Sequence, residues 1–209
     1  MPIISTHPSI ALVKTRWRKK GVRTLAEVAG IIGANVWKIS LEIFRHMEKE
    51  GFRFGSDKMV TTVLTEFIAF LVQLIDRSVY VQMSGKLSDA DRATLIGELT
   101  RHLAATMENN QLDLLGPGDY RGPFIALLNE RFSDYAGFAY IGAEPDYSCL
   151  AFFATRVSEA MVSDPSARGD NKWVIEQMLD IEAPAMVILV RKLLDKAIAE
   201  VSGIAQKSE

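Results

Sequence analysis

Between Val63 and Ile75 the chain reads VLTEFIAFLVQLI, an apolar run interrupted only by Thr65, Glu66 and Gln73. It is too short to cross a bilayer, which takes roughly 20 apolar residues. At about 100° per residue, Thr62, Thr65, Glu66, Ala69, Gln73, Asp76 and Arg77 fall within one helical sector of about 120°. Apolar residues such as Val63, Leu64, Phe67, Ile68, Phe70, Leu71, Leu74 and Ile75 fill the remainder. A helix apolar over so much of its circumference has to be surrounded by other helices. The segment from Ser56 or Asp57 to about Ser84 is therefore expected at the centre of a bundle. Its polar sector reads as a narrow solvent stripe, with a polar line facing an internal cavity as the functional alternative.

The flanking sequence supplies the surrounding helices. Thr24-Leu-Ala-Glu27 fits a capping box, and Leu25, Val28, Ile32, Val36, Ile39, Ile43 and Met47 then recur at steps of three and four. That helix should stop at Gly51 in a left-handed cap. Ser88-Asp-Ala-Asp91 opens a third helix with a hydroxyl cap and acids at its positive end. GPGDYRGP (116–123) breaks the chain, and further helices are expected over about 123–139, 146–163 and 171–202. The last should kink near Pro184, which has no N–H for the carbonyl of Asp180. No alternation of the strand type is sustained. The expected fold is all-α: a single-domain bundle of about six long helices (24–209) behind a basic N-terminal arm (1–23).

Composition narrows the function classes. The 209 residues carry a net charge of −2, but KTRWRKKGVR (14–23) holds six basic residues and no acid, so the body is acidic. An acidic body repels phosphate. The arm thus reads as a segment that docks on the acidic body or a dimer partner through Trp17, and nucleic-acid binding as unfavoured. The single cysteine, Cys149, excludes an internal disulfide and suits a reducing compartment. No charge-first signal segment is visible, so a cytoplasmic setting is expected. There is no phosphate loop, dinucleotide fingerprint or G-x-S-x-G elbow, and no cofactor is predicted.

Three constellations remain. Nine of the eighteen aromatic residues lie within 120–153, in company with Asp119, Arg121, Glu144 and Asp146. Aromatic walls with a few polar groups line small-molecule sites between helices, so Tyr120, Arg121, Tyr135, Tyr140, Tyr147 and Phe152 are the candidate ligand-binding residues. Glu42/His46 and Glu98/His102 each pair a carboxylate and an imidazole four residues apart. With Glu66 they form an alternative metal set, although di-metal bundles use Glu-x-x-His and the helical wheel places both histidines at boundary positions. Lastly, LAEVAGIIGANVWKI (25–39) partly resembles a helix-turn-helix DNA reader through Ala29, Gly33 and Ile39. The pattern fails at Glu42, and the apolar stripe passes Gly33 without a change of phase. Ala26, Gly30 and Gly33 read more simply as a small-residue groove for a neighbouring helix. A DNA-binding regulator built on 14–43 is thus a second alternative. The leading expectation is a non-catalytic bundle that binds a small ligand or protein partner, as a homodimer. Met186, Leu189, Val190, Leu193, Ala197, Ile198 and Val201 would form either a dimer surface or core.

Overall fold

A computed structural model describes residues 23–162 and 173–205; the side chains of 196 and 198–205, and all of the proposed arm (1–23) except Arg23, lie outside that description. The chain is an all-α bundle: α1 (Leu25–Lys49), α2 (Asp57–Gln82), α3 (Asp89–Leu115), α4 (Arg121–Tyr135), α5 (Tyr147–Val162), a short α6 (Val174–Gln177), a π-helical segment (Met178–Glu182) and α7 (Ala183–Ala205). Among the described residues the only strands are β1 (Tyr140–Ile141) and β2 (Glu144–Pro145), an antiparallel hairpin turning at Gly142 with φ +65°.

α2 is the axis of the bundle and packs against α1, α3, α4, α5 and α7. By length and composition it could cross a membrane, but 89% of its most apolar window is buried within the protein. Phe67, Ile68, Phe70, Leu71 and Ile75 are fully enclosed. The caps form as the residues dictate. Thr24 Oγ1 accepts from Glu27 N while Glu27 Oε2 accepts from Thr24 N. Ser56 and Ser88 hold the backbone N–H groups of Met59 and Asp91. Gly51 takes φ +93°, which a side chain would resist.

α1 runs unbroken through Gly33, so the turn that a helix-turn-helix reader needs is absent from it. Its most extensive partner is α3. His102 of α3 lies over the two α1 glycines: a Cβ at Gly33 would meet His102 Cδ2 at 2.5 Å. The small residues accept a histidine ring, and Ala26, the third of the set, is solvent-exposed.

Pro184 produces a π-helical segment immediately before it. The amide of Ala183 reaches five residues back to Met178 O, and this wider turn absorbs the residue whose N–H is missing. Met186, Val190, Leu193 and Ala197 of α7 are buried in the protein's own core, with Leu189 half-buried. The buried four thus belong to the protein's own core; the side chains of Ile198 and Val201 lie outside the description.

Candidate functional site

The polar sector of α2 does not face solvent. Thr65, Glu66, Ala69 and Gln73 are all buried. Arg131 of α4 grips Glu66, with Nη2 donating to Oε1 at 2.8 Å and Nε to Oε2 at 2.9 Å. Its Nη1 donates to Glu130 and Asp134. Burying a carboxylate unpaired would be prohibitive, and the two-pronged guanidinium is the group best shaped to neutralise it.

Further along the same sector the helix opens into a cleft of about 300 Å³, lined by Gln73, Asp76, Arg77, Tyr80, Arg92, Tyr135, Ala136, Phe138 and Tyr140. Four elements build it. α2 contributes its polar sector, α3 contributes Arg92, the end of α4 contributes Tyr135, and the hairpin contributes Tyr140. A second hollow of about 390 Å³, around the α2–α3 turn, shares Tyr80 and Arg92 with it.

The cleft is held by two arginines interleaved with two tyrosines. Arg92 Nη1 donates to Asp76 Oδ1 at 3.0 Å and Oδ2 at 3.2 Å. The Arg92 guanidinium also lies 5.0 Å from the centre of the Tyr80 ring. Arg77 sits 5.5 Å from the Tyr80 ring and 5.2 Å from that of Tyr140. Its Nε donates to Gly142 O at 3.2 Å, tying the hairpin to α2. Among the described residues no carboxylate forms a salt bridge with Arg77. Cation–π contacts contribute about 0.5–2 kcal/mol each, more when desolvated, so the rings hold the guanidinium planes in place without consuming their charge.

Titration follows burial. Desolvation raises the Asp76 carboxyl above its usual range, while Arg92 and then Arg77 pull it back. Burial likewise raises the Tyr140 hydroxyl, which meets Cys149 Sγ at 3.4 Å. The Cys149 thiol is pushed up to about 11, chiefly by burial. Two polar atoms of the lining are buried without a hydrogen-bond partner: the Tyr135 hydroxyl and Arg92 Nε. Tyr135 itself is 0% exposed.

The structure divides the sequence-derived aromatic set. Tyr135 and Tyr140 enter the cleft. Phe152 stands behind it, edge-on to Tyr135 at 5.3 Å. Tyr120 lies elsewhere and fastens the 116–123 loop by donating to Gly116 O at 3.0 Å. Arg121 faces Glu108 at 3.4 Å on the surface, and Tyr147 is 72% exposed. Asp76, Arg77, Tyr80 and Arg92 were not among the sequence candidates. Asp76 and Arg77 stand in the polar sector visible in the sequence, but their company depends on α3 and the hairpin folding against α2.

The metal set is not brought together. Glu42 pairs with Lys38, Glu66 with Arg131, and Glu98 with Arg101 of its own helix. His102 covers Gly33. His46 Nδ1 lies 2.6 Å from Glu182 Oε1, a carboxylate of the π-helical segment that also accepts from Gln177 Nε2 at 2.8 Å. No group of three or more His, Cys, Asp or Glu side chains among the described residues could hold a metal ion. A groove of about 470 Å³ between α1 and α7, lined by Asn35, Lys38, Ile39, Glu42, Leu189, Lys192 and Leu193, is a further concavity.

Fold and site together define an all-α bundle with an arginine–tyrosine cleft at one end of its central helix. No protein-family model, curated protein or solved structure matches the chain.

Proposed function

We propose that the protein is a non-catalytic binding bundle that holds a small molecule in the cleft between Arg77, Arg92 and Tyr140. The observation that carries this reading is the Arg77 guanidinium, which lies in the lining beside the Tyr80 and Tyr140 rings and forms no salt bridge among the described residues. A few polar groups set among aromatic walls are what orients a small molecule in such a cleft. A volume of about 300 Å³ is at the lower end for ligand sites, which suits a small metabolite. The cleft gives little to catalysis: the Tyr140 hydroxyl of its lining is held in its neutral form, and the Cys149 thiol buried behind it, at about 11, is almost wholly protonated near neutrality. A cytoplasmic setting accords with the single buried, free cysteine.

Fragment screening by NMR, with the arginine and tyrosine side chains labelled, tests the reading. Binding fragments should perturb Arg77, Arg92 and Tyr140 together. Hits that gather instead in the α1–α7 groove around Ile39 and Leu193 would overturn it.

A further inference from the structure

The composition of the cleft specifies the chemistry of its ligand. Its charged lining consists of Arg77, Arg92 and Asp76. Asp76 pairs with Arg92 and offsets Arg77 only through space, so the three charges sum to one excess positive charge and Arg77 is the arginine without a salt bridge. Of its donors, Nε is engaged by the Gly142 carbonyl. The guanidinium lies 5.5 Å from the Tyr80 ring centre and 5.2 Å from that of Tyr140, and its terminal nitrogens make no ion pair among the described residues. A guanidinium so held matches the two oxygens of a carboxylate better than any ammonium could. Beside it Tyr80, Phe138 and Tyr140 offer ring surface, and aromatic faces and edges prefer another flat apolar body.

Resting on the small-molecule reading above, we infer that the cleft takes an aromatic monocarboxylate, its carboxylate on the terminal nitrogens of Arg77 and its ring against Tyr80, Phe138 and Tyr140. One excess positive charge matches a monoanion; a dianionic phosphate would add a negative charge beside Asp76. The site would discriminate by charge and flatness together, so a neutral ring or a bare anion should bind poorly.

The test compares benzoate, benzamide and phenyl phosphate by NMR titration of the full-length protein. Benzoate should bind at least tenfold more tightly than either of the others, with shifts at Arg77 and Tyr140. Arg77→Gln should reduce benzoate to the affinity of benzamide. Arg77→Lys, which keeps the charge and loses the fork, should weaken benzoate several-fold, and this variant carries the test if Arg77→Gln is poorly folded. Benzoate and benzamide binding equally well in the cleft would overturn the carboxylate assignment and leave the small-molecule reading standing. Phenyl phosphate binding more tightly than benzoate would overturn the monoanion assignment alone. Undiminished benzoate binding by Arg77→Lys would overturn the role of the fork. Binding of none of the three would overturn both the assignment and the reading beneath it.

Discussion

Glu66 owes its place in the core to Arg131, and the two partners are not equivalent. Arg131 has Glu130 and Asp134 as further partners, whereas Glu66 has Arg131 as its one ion-pair partner among the described residues. Arg131→Met should therefore cost about 3–5 kcal/mol in urea unfolding, the usual penalty for stranding a buried charge. Glu66→Gln should cost clearly less, because the remaining acids still neutralise the guanidinium. Equal costs would mean that Glu130 and Asp134 do not compensate. Gly33 gives a second test on the residue scale. Alanine is the better helix former by about 1 kcal/mol, but its Cβ would fall 2.5 Å from His102 Cδ2, and overpacking of this kind costs about 1–3 kcal/mol. Gly33→Ala should destabilise the protein on its own and stabilise it in a His102→Ala background. A double-mutant cycle reads that reversal of sign directly, and additive effects would show that the ring swings aside freely.

The π-helical segment joins α1 to the end of the chain through His46 and Glu182. The short hydrogen bond to Glu182, and then its charge, raise the His46 pKa above 6.5, with the Glu50 charge a smaller contributor. A histidine with a raised folded pKa contributes stability that is complete below about 6.5 and is lost as pH rises through the folded value. His102 works the other way: burial lowers its pKa, so it lowers stability as pH falls from about 6.5 through its folded value. His46→Gln should therefore remove more stability at about pH 6 than at a pH well above the folded value. A uniform loss at both would show that the bond does not depend on the imidazolium. What was legible in these elements was local. The capping box at Thr24, the serine caps and the turn at Gly51 follow from residues within four positions of one another, and His46 fell where the helical wheel put it. Glu182 lies 136 positions from His46, beyond the reach of any spacing rule. The proline at 184 announced a broken register, yet whether a helix bends or widens there depends on packing around it.

On the scale of the molecule, the apolar run at 63–75 determined the architecture, because a helix greasy on most sides can only be surrounded. The same run misled about its polar sector. Periodicity gives the direction of Glu66, Gln73 and Arg77 relative to each other, but what they face is set by α4 and the hairpin, so a stripe facing Arg131 and a cleft looks like a stripe facing water. The aromatic cluster was legible as a cluster and only partly as a site, since of its nine members only Tyr135, Phe138 and Tyr140 line the cleft. The core itself is one continuous cluster drawing on every long helix, and Phe70 stands near its middle. Phe70 stacks on Phe153 at 4.1 Å and 9° and leans on Tyr135 at 5.9 Å, thus linking α2, α5 and α4 behind the cleft. A single core served by a single axial helix should unfold as a unit. Phe70→Ala should cost about 3–5 kcal/mol and move the helical signal in circular dichroism and the tryptophan fluorescence to lower denaturant together. Trp37 is 2% exposed on α1, so with the other two tryptophans, Trp17 and Trp173, replaced by Phe in both parent and variant, it reports whether the damage is shared. Two separate transitions in the parent protein, or a fluorescence midpoint that stays put while the helical signal shifts, would show that α1 and α3 hold together without the axis that α2 provides.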